Sequence, residues 1–355
     1  MMGSVTPACG LRGAGAWRWV GLALLALLAA LPIPARAAAI RIGMVPAAAM
    51  GPIYIAKEKG YFGAEGIETE FVPFDASEGA AAAAASGAVD FGAAAISSAL
   101  YSFTGQGPLR IISGLYSGAS GFHTLAIVAS DAAYDHGLRE VKALAGHSVA
   151  LAALGGPAHY SLGLLAEKYG ADLGAMRLVP AQNPRGVLAA LQGNQAEMAI
   201  IAGSIATPAL QARQVKLLGW VGDETPWQEG VTFTTTKVIA EHSSTVQAFL
   251  RALRKGAHDY HAAFTGPGGK RQDGPDAKEM LAIIAKYARQ PPDQLRLGIA
   301  YVDADARLDR RDVLHQLDWF KQQNLLPGTA DAATVIAQDY VIALPEQDKE
   351  GAAQK

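Results

Sequence analysis

A Gly-Gly-Pro run directly before a helical segment points most clearly to ligand chemistry in this sequence. Gly155 and Gly156 leave backbone N–H groups uncovered, and Pro157 presets the first helical turn. Because a helix dipole is positive at this end, such a loop favours an anion. His159, two residues further on, could hydrogen-bond a ligand or satisfy a backbone group. We therefore predict that Gly156, Pro157 and His159 contact a ligand.

Serines at the starts of other helical segments could add hydroxyl donors to the same site. Ser97 and Ser98 precede one such segment, and Ser204 opens another. Each of these residues could equally be an N-cap without a ligand role, because serine is a preferred capping residue. We include all three serines in the predicted site.

Large apolar side chains near the predicted strand ends complete the candidate site. In open α/β sheets a ligand crevice lies beyond the carboxyl ends of the strands. This rule nominates four loops, at residues 46–52, 93–98, 154–159 and 202–205. They contain no Lys, Arg, Asp or Glu, so a strongly hydrated anion such as nitrate would lack contacts. Met50, Tyr116 and Trp220 favour a ligand with an apolar or aromatic body, although some of these residues could pack in the core.

The remaining reactive residues argue against catalysis and against a metal or cofactor. His258 and His261 have a spacing that could ligate a metal, but a pair without a third ligand is more typical of a solvated helix face. The sequence has no Gly-x-Ser-x-Gly elbow, no P-loop and no dinucleotide fingerprint. We predict a binding protein with no catalytic residues, no resident metal and no cofactor.

Length and charge exclude other classes of protein. The chain has 355 residues, with 30 Lys and Arg against 32 Asp and Glu, and its formal net charge of −2 does not suggest nucleic-acid binding. Because 50% of the residues are hydrophobic, the chain can bury a large core, and its length suggests about two domains.

The N-terminus has the layout of a secretory signal peptide. A positively charged start is followed by an uncharged apolar stretch over residues 19–31 and by small residues for cleavage after Ala37. An uncleaved anchor helix is the alternative. Cys9 is the only cysteine, so the predicted mature chain has no disulfide. We predict that residues 1–37 are removed and that the protein is periplasmic.

Strand and helix signals alternate along the first two thirds of the mature chain. The predicted strands are 40–45, 67–72, 89–92, 109–115, 147–151, 176–179, 198–202 and 215–221. Helices are predicted between them, among them 77–85 and 157–169, the second ended by Gly170. This alternation predicts βαβ units and parallel sheets. Beyond residue 235 the pattern is helical, over 243–264, 277–288 and 309–323. Extended segments at 122–129 and 231–235 are candidate hinges, where the chain crosses into a second lobe and returns.

Several short pieces of sequence, in a fixed order, resemble a known family. They lie at residues 55–62, 65–67, 86–92, 155–160, 191–193 and 196–200. Together they resemble periplasmic substrate-binding proteins of ABC importers in the nitrate, alkanesulfonate and taurine group, which includes relatives that bind thiamine-pyrimidine precursors. The resemblance implies a two-lobed α/β fold, each lobe a mostly parallel sheet flanked by helices, with two crossing hinge strands. Lobe I is then 38–123 plus 232–355, and lobe II is 124–231.

Departures from the family pattern bear on the ligand. In sulfonate-binding relatives the loop corresponding to residues 155–160 holds the anionic head, but here Gly156-Pro157 replaces a hydroxyl-bearing pair. Residues 44–46 and 60–62 are similar to the pyrimidine-binding relatives, whose polar loop is replaced here by alanines 47–49. Related pyrimidine-forming enzymes depend on a cysteine-rich segment, which this sequence lacks.

We predict from these features a monomeric periplasmic solute receptor that is not an enzyme. It would bind a small organic anion, a sulfonate or an aromatic or aliphatic carboxylate, in the cleft between the lobes. An ABC-type permease in the inner membrane would receive the ligand. The alternatives are a thiamine-pyrimidine-like heterocycle as ligand, or an exported sensor or interaction module.

Overall fold

A computed structural model describes residues 1, 3–4, 39–105, 107–327 and 330–345. Apart from residues 1, 3 and 4, the predicted signal peptide lies outside the described residues, and so does Cys9. From Ala39 onward the chain forms one compact unit.

The described residues form two sheets of five strands each, ordered β2-β1-β3-β10-β4 and β7-β6-β8-β5-β9. The strands are β1 Ile40–Met44, β2 Thr69–Pro73, β3 Phe91–Ala95, β4 Leu109–Gly118, β5 Leu125–Ala129, β6 Val149–Leu151, β7 Leu178–Pro180, β8 Met198–Ala202, β9 Lys216–Trp220 and β10 Trp227–Thr235. We call the first sheet with its helices the first lobe, and the second sheet with its helices the second lobe.

Helices flank both sheets. They are α1 Gly51–Glu58, α2 Tyr61–Ala64, α3 Ser77–Ala85, α4 Ser98–Gly105, α5 Asp131–Asp135, α6 Pro157–Tyr169, α7 Pro184–Gln192, α8 Gly203–Gln211, α9 Val221–Glu224, α10 Thr236–Glu241, α11 Ser243–Phe264, α12 Ala277–Ala288, α13 Pro292–Arg296, α14 Arg310–Gln322 and α15 Ala332–Val335. Short 3-10 turns cover Ala48–Met50, Val141–Ala143, Leu173–Ala175 and Pro267–Gly269. None of the described helices combines the length and the apolar character that a membrane crossing requires.

The two sheets are built on one plan. Strands β2, β1 and β3 are parallel in the first sheet, as β7, β6 and β8 are in the second. The fourth strand of each sheet is antiparallel to both of its neighbours: β10 pairs with β3 and β4, and β5 pairs with β8 and β9. Each antiparallel strand follows a crossing of the chain from the other lobe. The sequence predicts the parallel part of this plan but not the two reversed strands.

Local signals determine several helix boundaries. The predicted helices over Ser77–Ala85 and Pro157–Tyr169 are confirmed, and the second ends at Gly170, whose φ of 64° suits a glycine C-cap. Strand β3 begins at Phe91, later than predicted, because the backbone N–H groups of Ala88 and Val89 donate to Ala83 and close helix α3. The last crossing also differs: β10 already lies in the first sheet at Trp227, ahead of the predicted return at residue 232.

Helix α14 packs against both lobes. Its apolar residues share one hydrophobic cluster with Val231 of the first sheet and Ile127 of the second. The Trp319 ring lies against Gly163 of α6 in the second lobe, where an added Cβ would come within 2.4 Å of ring atoms. On the other side, Tyr101 of α4 donates a hydrogen bond to the Val313 carbonyl (2.6 Å). The two lobes therefore share a core through this helix.

A buried carboxylate reinforces the junction. Asp312 of α14 accepts hydrogen bonds from the Tyr160 hydroxyl of α6 (2.9 Å), the Gln228 backbone N–H of β10 (2.8 Å) and the Gln316 side chain (2.7 Å). Burial raises the pKa of Asp312 to about 6 despite these donors. The network joins α6, β10 and α14, which belong to different parts of the chain.

We expect Gly163→Ala to destabilise the protein by about 1–3 kcal/mol, because the new methyl group must displace the Trp319 ring from a packed core. Urea unfolding measures the change. Gly63→Ala is the matched control, since nothing lies within 4 Å of its added Cβ, and we expect it to be neutral or slightly stabilising. Equal unfolding free energies for the two variants would contradict the close packing of α6 on α14.

Candidate functional site

A cleft of about 180 Å³ lies between the lobes, at the carboxyl ends of the parallel strands. All four loops nominated by the crevice rule contribute to its wall. The lining residues are Ala47, Ala48, Ala49, Ala95, Tyr116, Thr124, Leu125, Pro157, Ala202, Ser204, Glu229, Gln290, Leu295 and Gly298. The topology therefore brings together segments that are far apart in sequence.

Three of the predicted site residues line this cleft. Tyr116 comes from the end of β4, Pro157 from the start of α6 and Ser204 from the start of α8. All three side chains are half-buried, so each can present part of its surface to a ligand. They supply an aromatic face, an apolar ring and a hydroxyl group.

Four predicted residues instead hold the cleft loops in place. Ser97 caps α4, since its hydroxyl accepts the Leu100 N–H (3.3 Å). The Ser98 backbone N–H donates to the Gly155 carbonyl (2.9 Å), and Gly156 is the buried N-cap of α6. The His159 ring accepts the Gly155 N–H at Nδ1 (3.0 Å).

The hydrogen bond between Gly155 and His159 changes the role of the glycine loop, which we predicted to bind an anion. Burial lowers the pKa of His159 to about 4, so the ring is neutral at pH 7 and can accept a hydrogen bond from the backbone. Gly155 has a φ of 75°, a conformation that glycine adopts without strain. Its N–H is therefore engaged within the protein and is not free to bind an anion.

Met50 and Trp220 do not line the cleft. Met50 is 2% exposed and packs in the core of the first lobe. Trp220 is half-buried at the end of β9 and stacks on His123, with ring centroids 4.1 Å apart. These two large side chains, which we predicted to contact a ligand, instead pack against neighbouring residues of the protein.

Glu229 is a cleft residue that the sequence analysis missed. Its side chain is 4% exposed, and one carboxylate oxygen accepts the Thr124 hydroxyl (2.7 Å). The pairing of β10 with β4 is irregular between Trp227 and Gly230, and such a bulge can redirect a side chain. Glu229 lies within this irregular stretch of β10, and its carboxylate is part of the cleft wall.

The electrostatics of the cleft depend on this carboxylate. Burial raises the pKa of Glu229 to about 7, while the Thr124 hydrogen bond acts in the opposite direction. No Lys, Arg or His is among the lining residues that the structure describes. A ligand with an N–H donor or a positive charge would supply the partner that the carboxylate lacks.

The reversed strands explain why these polar groups were not predicted. The crevice rule considers the carboxyl ends of parallel strands, but an antiparallel strand places its amino end at the same edge. Gly230 of β10 pairs with Ala95 at the end of β3, and Leu125 of β5 pairs with Ala202 at the end of β8. Glu229 directly precedes Gly230, and Thr124 directly precedes Leu125. Both residues therefore lie at the cleft edge of the sheets. The sequence signal for Glu229 was a single acidic residue shortly before the segment 231–235, which we predicted to cross between the lobes.

The helical part of the chain closes the remaining wall. Gln290, Leu295 and Gly298 lie in the region that follows α12, and Gln290 offers an amide to the cleft. Within the part of the chain that the structure describes, no group of three or more His, Cys, Asp or Glu could hold a metal ion. The described lining provides one carboxylate, hydroxyl groups from Tyr116, Thr124 and Ser204, and the Gln290 amide, and its other residues are apolar.

We expect Glu229→Gln to stabilise the ligand-free protein by up to about 3 kcal/mol at pH 8.5. An acid whose folded pKa of about 7 exceeds its unfolded value of 4.5 loses stability as the pH rises between these values. The advantage of the variant should therefore vanish near pH 4.5, as urea unfolding at several pH values would show. Exposed Glu241→Gln is the control. The same pH profile for both variants would show that Glu229 ionises normally.

Solved structures of solute-binding proteins share this fold. The alkanesulfonate-binding protein SsuA from Xanthomonas axonopodis pv. citri, bound to MOPS, is 18% identical, with 87% of this chain and 100% of that chain covered and a TM-score of 0.64. The nitrate-binding protein NrtA from Synechocystis PCC 6803 is 14% identical, with 85% and 86% covered and a TM-score of 0.64.

A ligand-binding component of an ABC-type import system from Staphylococcus aureus, with zinc bound, is also similar. It is 15% identical, with 86% of this chain and 96% of that chain covered and a TM-score of 0.63. At these identities the likeness is one of fold. The predicted two-lobed α/β fold is thereby confirmed.

Sequence comparisons assign the family. No curated protein sequence matches the chain. The family model described as NMT1/THI5 like matches residues 47–263, which is more than half of the chain and includes most of the cleft segments. The resemblance inferred from the short sequence pieces is confirmed. The chain belongs to the NMT1/THI5-like family, and it has the fold of the periplasmic binding proteins of ABC importers.

Proposed function

We propose that the protein is an exported solute receptor that binds a nitrogen-bearing small molecule and delivers it to an ABC-type permease. The proposed ligand is a neutral or cationic heterocycle of the pyrimidine type, which was the alternative ligand in the sequence analysis. Family and fold support a receptor, and the buried carboxylate of Glu229 carries the choice of ligand. The proposal includes removal of residues 1–37, a periplasmic location, a monomeric state and no catalysis.

The lining of the cleft matches such a ligand. Ionised Glu229 can accept two or more hydrogen bonds, and within the described residues only Thr124 donates one to it. A ring nitrogen or amino group that carries hydrogen would complete its bonding. Tyr116, Leu295 and alanines 47–49 offer apolar and aromatic surface for the flat faces of a ring.

An organic anion, the first prediction from the sequence, has less support in this cleft. Among the residues that the structure describes, the lining holds no cationic side chain, and the Gly155 N–H is hydrogen-bonded to His159. Ionised Glu229 would repel a carboxylate or sulfonate. An anion could enter only beside the protonated form of Glu229. The two ligand classes therefore predict opposite pH dependence.

Closure of the lobes belongs to the same proposal. The two moving units are those of the sequence prediction, residues 38–123 with 232–355 and residues 124–231, with the second boundary shifted to the crossing before β10, so that residues 227–231 move with the first lobe. A ligand that contacts both units stabilises the closed arrangement. Because α14 shares a core with both lobes, we expect a small rotation that preserves the Trp319 packing rather than a wide opening.

We expect the affinity for an N–H-bearing heterocycle to rise about 30-fold between pH 5.5 and pH 8.5. This value follows from the ionised fraction of a carboxyl group with a pKa of about 7, if only the carboxylate binds. Calorimetric titration with a pyrimidine whose own charge is constant over this range measures the effect, after unfolding and refolding to remove any bound ligand.

The control for this titration is Glu229→Gln, which keeps the shape of the side chain and removes its ionisation. It should bind the heterocycle weakly at every pH tested. A panel of sulfonates and carboxylates runs in parallel. Affinity for an anion that falls as the pH rises, with no binding of heterocycles, would refute the proposed ligand and restore the organic anion.

A further inference from the structure

A second pocket lies at the outer edge of the first sheet, beside the edge strand β2. Its volume is about 350 Å³, compared with about 180 Å³ for the cleft. Met44 and Pro46 form part of its wall, while the following alanines 47–49 line the cleft. Arg289 lines the outer pocket and Gln290 the cleft. Residues 44–49 and residues 289–290 therefore separate the two cavities.

Three aromatic rings form one side of this outer pocket. Tyr54 and Tyr287 are stacked with centroids 4.9 Å apart, and Phe71 meets Tyr287 edge-on at 5.2 Å. Tyr54 and Phe71 are 5.6 Å apart. Tyr54 is buried, while Phe71 and Tyr287 are half-buried and keep part of their surface open to the pocket. Such a surface suits the flat face or edge of an aromatic ligand.

Cations surround these rings. Lys57 lies over the Phe71 ring and donates to the Thr69 carbonyl, so its ammonium group is already engaged. Lys286 is 5.4 Å from the centre of the Tyr287 ring and pairs with Glu58 (2.8 Å).

Arg289 differs from both lysines because its guanidinium group has no ion-pair or hydrogen-bond partner within the described residues, although its backbone N–H donates to the Ala285 carbonyl (3.1 Å). It is exposed and follows the last turn of α12. A free guanidinium can bind a carboxylate or sulfonate through two parallel hydrogen bonds. Glu70 also lines the pocket and disfavours an anion at its own end. The Arg289 end is therefore the place for an acidic group.

We propose that this outer pocket is a binding site for a small aromatic anion, a ring with one carboxylate or sulfonate group. The ring lies against Phe71 and Tyr287, and the acidic group is held by Arg289, since Lys286 already donates to both carboxylate oxygens of Glu58. The cleft lacks this combination of aromatic surface and cations. The site is independent of the proposed function of the cleft, because none of its residues lines the cleft.

The test uses 4-fluorobenzoate and benzenesulfonate as probes with the purified protein. Fluorine NMR of the first probe and calorimetry of both measure binding. Arg289→Gly should weaken the affinity at least about tenfold, the loss expected for a hydrogen bond to a charged group. The native φ of Arg289 is 54°, so glycine is unstrained there and the variant should not be destabilised.

Arg213→Gly is the matched control. Arg213 is also exposed, has a φ of 55° and lies outside both pockets, so its replacement removes one positive charge without affecting either site. The affinity for the probes should stay unchanged in this variant. An equal loss in both glycine variants would show a general charge effect and would overturn the site.

Glu229→Gln separates this site from the cleft. An anion bound in the cleft would gain affinity when the carboxylate is removed, whereas an anion in the outer pocket would not respond. A response to Glu229→Gln together with none to Arg289→Gly would place the anion in the cleft and overturn the proposal. Absence of binding by both probes at millimolar concentration would also overturn it, whatever the outcome of the heterocycle titration.

Discussion

The reversed direction of one strand in each sheet determines which polar groups reach the cleft. Strands β5 and β10 enter their sheets from the opposite lobe and run against their neighbours, so their amino ends lie beside the carboxyl ends of the parallel strands. This geometry places Thr124 and Glu229 within hydrogen-bond distance across the two crossings. Without the reversal, the cleft would be lined by small and apolar residues of the parallel strand ends. The only carboxylate among the described lining residues is therefore a product of topology.

The junction between the lobes is held by packing and by a second buried carboxylate. Trp319 against Gly163 supplies close contact, and Asp312 gathers donors from three elements. Glu229 differs, because among the described residues a single side-chain donor reaches it. A carboxylate with several hydrogen-bond donors, such as Asp312, stabilises the junction between the lobes. A carboxylate with one donor, such as Glu229, can still accept a hydrogen bond from a ligand.

Much of the fold follows from short-range signals, and much of the site does not. Helix α6 was predicted to the residue because Pro157 and Gly170 mark its ends through local backbone preferences. The glycine loop was located correctly, but the orientation of the His159 ring decides where the Gly155 N–H goes, and spacing alone does not reveal that orientation. Glu229 depends on strand direction and on a bulge, which are properties of long-range pairing. Met50 and Trp220 show that a large side chain near a strand end can pack against its neighbours instead of lining the cleft.

The position of β10 also has a consequence for how the chain folds. This strand lies between β3 and β4 in the first sheet, yet it follows them by the whole length of the second lobe. The first sheet therefore cannot close until residues 227–235 are available, because β3 and β4 have no strand between them before then. Contacts between residues so distant in sequence form slowly, because a long loop must be ordered first. Such a topology delays the native state until most of the polypeptide has been made, and the strands of the amino-terminal third wait for their partner while the second lobe is synthesised.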